Sequence, residues 1–199
     1  MIAVIDYGAG NLRSVANALD VSASAYRIVN DPEGLKKTSK IILPGVGHFG
    51  QMVRALDRLG LRRSLRERLQ NGALFLGICL GFQALFEGSE EAPGAKGLAL
   101  LPGTAKRFPL GTRVPHMGWN RIVRAADATA RLLCGIGEEP FVYFAHSYYL
   151  PVIPAASASC SYEVPFTAAV EAGGLLGVQF HPEKSGPVGL RIIRNFAEL

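Results

Sequence analysis

The sequence predicts an α/β fold in which a mostly parallel sheet is flanked by helices, with an antiparallel, β-rich second half. Two observations lead to this class. In the first half, short runs of consecutive apolar residues alternate with amphipathic helical stretches, and strands that are apolar on both faces are typical of a parallel sheet covered on both sides by helices. In the second half, strand-like segments follow one another closely, with few helical stretches between them.

The individual elements follow from the period of the apolar residues. In the first half, strands are predicted at 2–5, 26–29, 40–43 and 73–78, and helices at 11–20, about 49–59, 61–70 and 80–88. In the second half, strands are predicted at 140–150, 156–162, 166–173 and 175–180, and a helix at 186–199. Residues 97–124 are rich in Gly and Pro and predict short strands and turns. No segment has the length or composition of a linker, so a single domain over 1–199 is expected.

Composition excludes several classes of protein. Of the 199 residues, 49% are hydrophobic and 19% are charged, which is typical of a globular domain. No apolar run is long enough to span a membrane, and the N-terminal residues lack the basic region of a signal peptide, so a cytoplasmic protein is expected. The net charge of +5 comes largely from six arginines in residues 54–70. We interpret this segment as an amphipathic helix with a solvated basic face, and not as a nucleic-acid interface, because no aromatic residues accompany the arginines.

One of the three cysteines has the sequence context of a nucleophile. Cys79, Cys134 and Cys160 are too widely spaced for a zinc site or a disulfide framework, so no metal is expected. Cys79 is the centre of a Gly-x-Cys-x-Gly motif between a predicted strand and a predicted helix, which is the context of a nucleophile elbow. A helix N-terminus there favours the thiolate. The alternative, a small buried core residue, is what a single cysteine usually is, but the flanking glycines favour catalysis.

A thiol nucleophile requires a histidine and a third group that orients it. The chain has four histidines: His48, His116, His146 and His181. Only His181, which directly follows an apolar strand, has a suitably placed carboxylate, that of Glu183. In an extended segment, residues i and i+2 point to the same side, and the proline between them keeps the backbone out of a helix. We therefore predict a triad of Cys79, His181 and Glu183.

The loop after the third predicted strand has two possible interpretations. Residues 45–50 match Gly-x-Gly-x-x-Gly, the pattern of a dinucleotide-binding turn. However, the next strand ends in Cys79 and not in the acidic residue that binds the ribose, and the pattern follows the third strand and not the first. The second interpretation is an oxyanion loop at the same sheet edge as the elbow. We expect the oxyanion donors to come from Val46, Gly47 and Leu80.

Taken together, these motifs resemble the class I (triad) glutamine amidotransferases, and among them the glutaminase subunits of imidazole glycerol phosphate synthase. The matching segments extend along the whole chain: DYGAGNLRSV, LPGVGHFG, GICLGFQALFEGSEE, KGLALLPG, VPHMGWN, FVYFAHSYY and GVQFHPEKSG. Two residues of the elbow helix depart from the family pattern, where Phe82 replaces a common Met and Ala84 a larger aliphatic residue. These changes could alter the pocket wall slightly and leave the catalytic residues intact.

The resemblance implies a flavodoxin-like amidotransferase fold, a reaction and a partner. The thiol would attack the side-chain amide of glutamine, giving a γ-glutamyl thioester and then glutamate. The released ammonia would pass to a (β/α)₈-barrel cyclase subunit, which forms imidazole glycerol phosphate and aminoimidazole carboxamide ribotide in histidine biosynthesis. No cofactor is implied. The implied glutamine contacts are Gly45, Gln83, Ser147 and Tyr148, and the residues implied to face the cyclase in a heterodimer are Asn11, Met117, Trp119, Asn120, Tyr143 and Lys184.

Alternatives remain open on the sequence alone. The chain could be another triad amidotransferase, such as one that serves pyridoxal phosphate or anthranilate synthesis, a nucleotide-binding oxidoreductase subunit, or a non-catalytic scaffold. Individual interface residues also have simpler interpretations. Trp119, the only tryptophan, could belong to the core, and Asn11 is well placed to cap the helix that follows it.

Overall fold

A computed structural model describes residues 1–36, 38–125 and 131–199, and these residues form a large mixed sheet with helices on both faces. The strands, β1 to β12 in chain order, are Ile2–Ile5, Tyr26–Val29, Lys40–Gly45, Leu74–Cys79, Gly88–Ser89, Thr104–Arg107, His116–Arg124, Phe141–His146, Tyr148–Tyr149, Ala156–Tyr162, Val164–Ala172 and Leu175–Val178. The helices, α1 to α6, are Leu12–Val21, Pro32–Lys36, Phe49–Arg58, Leu61–Gln70, Leu80–Gln83 and Gly186–Glu198, and a 3₁₀ turn covers Pro182–Lys184.

The sheet confirms the predicted fold class. Its nine strands lie in the order β2-β1-β3-β4-β12-β11-β10-β7-β8. Strands β2, β1, β3, β4 and β12 are parallel, and β11, β10, β7 and β8 continue the sheet with antiparallel pairing. Strand β12 therefore belongs to both halves, since it pairs in parallel with β4 and antiparallel with β11. A smaller group contains β5, β6 and β9.

The core is divided by the sheet into two apolar clusters, as expected for strands that are buried on both faces. In β1, Ile2 and Val4 pack into one cluster with α1 and α6, and Ala3 and Ile5 pack into the other with α3 and α4. The leucines of α4 at i, i+4 spacing face this second cluster, which leaves the arginine-rich face of the helix toward solvent. No helix among the described residues is long and apolar enough to cross a membrane.

Several elements differ from the sequence prediction. The helix predicted at 80–88 ends at Gln83, and Gly88–Ser89 instead pairs with β6. Helix α2 has only five residues, too few to show helical periodicity, and was not predicted. Strand β7 extends over nine residues of a segment in which only short strands were predicted. The strand predicted at 140–150 is divided at Ser147, because β8 pairs with β7 whereas β9 pairs with β6.

Candidate active site

The carboxyl edge of the parallel strands brings Cys79 to a sharp turn between β4 and α5. Its backbone has φ 53° and ψ −104°, a conformation that is unusual for a residue other than glycine and costs about 1–3 kcal/mol. The two flanking glycines are required by close packing. A Cβ on Gly81 would lie 1.8 Å from the carbonyl oxygen of Leu43, and one on Gly77 would lie 2.5 Å from that of Gly81. The Gly-x-Cys-x-Gly motif thus forms the predicted elbow.

His181 follows β12 and is fixed through its backbone. Its N–H donates to the carbonyl oxygen of Tyr143 at 2.8 Å, and its own carbonyl accepts from the hydroxyl of Ser185 at 2.7 Å. The same hydroxyl accepts from the N–H of Tyr143 at 3.0 Å. The 181–183 segment is not fully extended as predicted, since Pro182 begins the 3₁₀ turn. The side chains of His181 and Glu183 nevertheless meet, because the histidine itself remains extended.

The Glu183 carboxylate orients the imidazole. Oε1 of Glu183 lies 2.9 Å from Nδ1 of His181, and the two side chains are 1% and 2% exposed. Since a carboxylate accepts, Nδ1 carries a proton, and Nε2 is the nitrogen that can serve the thiol. The side-chain amide of Asn11 also donates to Oε1, at 3.2 Å, and accepts from the hydroxyl of Ser14 at 2.8 Å. The Asn11 side chain makes no capping hydrogen bond to α1, so it supports Glu183 instead.

The charges around His181 favour its protonated form. Burial alone would lower the pKa of His181, but the negative charge of Cys79, a hydrogen bond to that sulfur and the carboxylate of Glu183 together raise it to about 10. The Cys79 sulfur also lies 3.7 Å from Nε2 of Gln179. The arrangement therefore favours a protonated imidazole beside the sulfur, the charge setting in which a cysteine acts as a nucleophile. In contrast, burial raises the pKa of the Cys160 thiol to about 12.

A cavity of about 230 Å³ opens over the thiol. Its lining includes all three residues predicted for the oxyanion hole, Val46, Gly47 and Leu80, and three of the four predicted glutamine contacts, Gln83, Ser147 and Tyr148. The fourth, Gly45, lies at the buried end of β3 against Leu80 and Gly81 and does not line the cavity. The two departures from the family pattern, Phe82 and Ala84, are both fully buried outside this lining.

With this geometry established, comparison with known proteins identifies the family. The family model for glutamine amidotransferase class-I matches residues 3–199. The chain belongs to the class-I glutamine amidotransferases.

Two curated relatives of this amidotransferase are named imidazole glycerol phosphate synthase subunit HisH. The protein from Methanothermobacter thermautotrophicus is 46% identical over 200 residues, covering 100% of this chain and 98% of its own length. The protein from Thermus thermophilus is 47% identical over 191 residues, covering 96% and 93%.

Solved structures show the same fold at lower identity. A crystal structure of a glutamine amidotransferase superimposes with a TM-score of 0.79 at 19% identity and covers 100% of both chains. The structure of PurLQS from Thermotoga maritima gives a TM-score of 0.74 at 21% identity, covering 99% of this chain and 97% of that one. The architecture of this amidotransferase is therefore that of its structural neighbours.

The glycine loop of this amidotransferase is held by a tyrosine. The hydroxyl of Tyr7 lies 3.3 Å from the N–H of Val46, which donates to it, and 3.4 Å from the Val46 carbonyl, to which it donates. Burial raises the pKa of Tyr7 to about 12, so the hydroxyl keeps its proton. The next residue, Gly47, has φ +95° and nothing within 4 Å of the position of a Cβ. The loop is thus tethered at Val46, and the space beside Gly47 is open.

The N-terminus of α3 is occupied by the protein itself, which argues against the dinucleotide interpretation. The carboxylate of Glu91 accepts from the N–H of Phe49 at 2.7 Å, and Nδ1 of His48 accepts from the N–H of Gly50 at 3.1 Å. In a dinucleotide site these first amides would face the pyrophosphate. His48 is therefore a helix cap in this structure.

Of the residues predicted to face a partner, Met117, Trp119 and Asn120 lie on β7, Tyr143 lies on β8, and Lys184 lines the cavity. Met117 and Trp119 project from β7 and are 63% and 56% exposed. Trp119 packs edge-on against Tyr143 at 6.2 Å between ring centroids, and the Lys184 ammonium lies 5.6 Å from the Tyr143 centroid. The tryptophan is thus on the surface and not in the core. Asn120 is partly buried, with its side chain directed to Ser161 and His116.

Three residues of the site were missed by the sequence prediction. Glu91 lines the cavity, Gln179 contacts the sulfur, and Tyr7 holds Val46. Gln179 carried a detectable signal, because a polar residue within an otherwise apolar strand segment needs a hydrogen-bonding partner inside the protein. Glu91 and Tyr7 act across 42 and 39 residues of sequence, and no local pattern marks them.

Proposed function

We propose that this chain is the glutaminase subunit of imidazole glycerol phosphate synthase, a single amidotransferase domain over 1–199. It hydrolyses glutamine to glutamate and ammonia and passes the ammonia to a cyclase subunit. The observation that carries the proposal is the array of Cys79, His181 and Glu183 beneath a small cavity, in a chain that matches HisH proteins along its length. The direction of proton transfer follows from the tautomer of His181, in which Nδ1 is bonded to Glu183 and Nε2 is left for the reacting groups.

In the first half-reaction, the Cys79 thiolate attacks the carboxamide carbon of glutamine and a C–S bond forms. The carbonyl oxygen becomes an oxyanion, which the N–H of Leu80 can stabilise, since the first amides of a helix have no intrahelical acceptor. The His181 imidazolium then gives its Nε2 proton to the leaving nitrogen as the C–N bond breaks. The products are ammonia, a γ-glutamyl thioester and a neutral imidazole.

In the second half-reaction, the neutral His181 accepts a proton from water as the water oxygen attacks the thioester carbon. The C–S bond breaks, and the product with a protonated γ-carboxyl group, the Cys79 thiolate and the His181 imidazolium are formed. The γ-carboxyl group then loses its proton to solvent, which gives glutamate. Glu183 stabilises the imidazolium whenever it forms, as the third member of a triad does.

Hydrogen-bonding groups and one carboxylate line the cavity and are available for the amino-acid end of glutamine. The backbones of Ser147 and Tyr148 and the side chain of Gln83 form one wall. One oxygen of Glu91, which also lines the cavity, accepts from the N–H of Phe49, which leaves its second oxygen available for the α-ammonium group. We assign Glu91 this charge-pairing role because it is the acidic residue among the described residues that line the cavity.

The partner would cover the exposed side chains of β7 and β8. Met117, Trp119 and Tyr143 form an apolar surface beside Lys184, at the mouth of the cavity. A partly exposed aromatic cluster of this kind is characteristic of an interface hot spot. Ammonia released at Cys79 would leave toward this surface, and the cyclase would use it to form imidazole glycerol phosphate and aminoimidazole carboxamide ribotide.

The proposal is tested by a glutaminase assay with the full chain, alone and with the cyclase subunit of the same organism. We expect slow hydrolysis by the isolated chain and a large increase when the cyclase and its ligand are present. Cys79→Ala should abolish glutamate formation and still bind the cyclase, whereas Cys134→Ala, which removes an exposed thiol, should retain full activity. Equal rates with and without the cyclase, or activity in Cys79→Ala, would contradict the proposal.

A further inference from the structure

Two hydrogen bonds converge on the carbonyl oxygen of Tyr148 in the cavity wall. Nδ1 of His146 lies 2.8 Å from this oxygen, and so does Nε2 of Gln83. A carbonyl oxygen can only accept, so both nitrogens must donate. His146 therefore carries a proton on Nδ1, and Gln83 directs its amide nitrogen toward Tyr148.

The direction of the hydrogen bonds on the surface side follows from this assignment. Nε2 of the neutral His146 must accept, so Nδ1 of His116, 3.2 Å away, must donate. Nε2 of His116 then accepts from the side-chain nitrogen of Asn120 at 3.3 Å. The orientation of Asn120 is fixed independently, because its nitrogen also donates to the carbonyl of Ser161 and its oxygen accepts from the N–H of Arg121.

The direction on the thiol side is determined in the same way. Nε2 of Gln83 has a second hydrogen to donate, and this nitrogen lies 3.0 Å from Oε1 of Gln179. Gln179 must therefore turn its oxygen to Gln83 and its nitrogen to the Cys79 sulfur, 3.7 Å away. The bonds form a continuous chain, which we call the Asn120–Cys79 network: Asn120, His116, His146, Tyr148, Gln83, Gln179 and Cys79.

Burial keeps both imidazoles neutral, as the network requires. It lowers the pKa of His116 to about 4 and that of His146 to about 3, where the nearby His116 and His181 rings add to the effect. The ring of His116 is stacked between Phe144 and Tyr162, with centroid distances of 4.7 and 4.0 Å. A buried polar network of this kind fixes a unique arrangement only when each member is satisfied.

We propose that His116 and His146 are positioning residues for glutamine hydrolysis. They hold the Tyr148 carbonyl in the cavity wall and, through the two glutamines, the sulfur of Cys79. At its other end the network reaches Asn120, which lies on β7 next to the exposed surface that the cyclase would cover. The inference rests on the proposed function, and it adds a physical connection between the partner-facing strand and the glutamine pocket.

The hydrogen-bond directions are tested by ¹⁵N NMR of the histidine rings in the full chain. In the wild type at pH 7, both rings should show a protonated Nδ1 and an unprotonated Nε2. In Asn120→Asp, a carboxylate replaces the donor, so Nε2 of His116 should become protonated. The control Asn71→Asp, at the end of α4, should leave the ring signals unchanged. An Nε2-protonated ring in the wild type, or an unchanged His116 in Asn120→Asp, would overturn the assignment.

The positioning role is tested by steady-state kinetics of the complex with the cyclase. His116→Phe keeps an aromatic ring between its neighbours and removes the donor to His146. The variant loses the bonds to His146 and Asn120, and the bond to His146 is the one that leads to the cavity wall. Since the loss of one buried hydrogen bond is worth about 1 kcal/mol, the KM for glutamine should rise about five- to tenfold. Phe108→Leu disturbs the same aromatic cluster without removing a bond of the network, and its KM should stay near that of the wild type. An unchanged KM in His116→Phe, or an equal rise in both variants, would refute the positioning role.

The two tests separate this inference from the proposed function. The NMR experiment needs neither glutamine nor the cyclase, so it reports on the network alone. If the wild-type complex released no glutamate, the proposed function and the positioning role would both fail, even with the predicted ring signals. If the wild type were active but His116→Phe behaved as wild type, only the positioning role would fail.

Discussion

Oε1 of Glu183 accepts hydrogen bonds from two donors, Nδ1 of His181 at 2.9 Å and the side-chain amide of Asn11 at 3.2 Å. The second oxygen, Oε2, is buried and has no hydrogen-bond partner within the described part of the chain. Oε1 therefore orients the imidazole of His181, and the amide of Asn11 holds the carboxylate of Glu183 in place. The carboxylate can therefore act on His181 in two ways, by orienting the ring and by its charge.

Replacing the carboxylate with an amide should separate orientation from charge. Glu183→Gln can still accept from Nδ1 of His181, but it removes the negative charge that stabilises the imidazolium. By analogy with other triads, we expect kcat of the cyclase complex to fall by about two to four orders of magnitude. The control Glu198→Gln, on an exposed part of α6, should retain wild-type activity. A loss of less than about threefold in Glu183→Gln would show that the charge is not needed.

The pKa of His181 should depend on the negative charge of the Cys79 sulfur. Its pKa in the folded protein is about 10, above the ordinary value of 6.5, so the imidazolium persists as the pH rises from 6.5 and is lost near 10. Activity that needs this proton should accordingly be maintained to about pH 9 and decline above that. In Cys79→Ala the negative sulfur is absent, so the pKa of His181 should fall.

An NMR titration of His181 measures this coupling directly. The wild type and Cys134→Ala, which removes a distant exposed thiol, should give the same raised pKa, and Cys79→Ala a lower one. Identical titration curves in all three proteins would mean that the sulfur carries no negative charge next to the ring.

The parts of the site that the sequence predicts are those encoded locally. The elbow is marked by Gly77 and Gly81, which flank the nucleophile in the sequence and allow the close packing of the turn. Likewise, His181 and Glu183 are two residues apart, so their pairing follows from one short segment. The parallel strands were predictable for the same reason, since each is a separate apolar run.

What could not be predicted depends on contacts between distant segments. Asn11 was expected either to cap α1 or to face a partner, and its contact with Glu183 joins residues 172 positions apart. His116 and His146 were only two of several candidate histidines until the register of β7 with β8 placed them side by side. Strand pairing of this kind is set by the whole sheet, so a single sequence does not reveal it.

The freedom of the glycine loop can be tested at Gly47. Its φ of +95° is strained for a branched side chain, although no atom lies within 4 Å of a Cβ. If the loop must rotate to place an oxyanion donor, Gly47→Val should reduce cyclase-stimulated hydrolysis by at least about tenfold. Alkylation of Cys79 by iodoacetamide should change by less than about twofold, because the thiol itself is not displaced.

A matched control is available in the turn between β11 and β12. Gly173 also has a positive φ, of +62°, and nothing within 4 Å of a Cβ, but it lies outside the cavity lining. Gly173→Val should therefore impose similar backbone strain and leave stimulated hydrolysis unchanged. If hydrolysis and alkylation fell equally in Gly47→Val, the loop would be shaping the surroundings of the nucleophile and not supplying a movable donor.

The tether between Tyr7 and Val46 gives the opposite expectation, a gain of activity. In the present conformation the Val46 N–H donates to the Tyr7 hydroxyl, so this amide is not free to bind an oxyanion. Tyr7→Phe removes the hydroxyl and keeps the buried ring. Without the tether, worth about 1 kcal/mol, the loop should reach its active arrangement more often, and glutamine hydrolysis by the isolated chain should rise about fivefold.

The same variant should lower the stimulation by the cyclase, because the maximal rate of the complex stays the same while the basal rate rises. Tyr162→Phe is the control: its hydroxyl donates to the carbonyl of Arg113 at 2.7 Å, remote in sequence from the loop, and its basal rate should be that of the wild type. A basal rate in Tyr7→Phe that is equal to or below the wild-type rate would show that the hydroxyl supports the active loop conformation instead of restraining it.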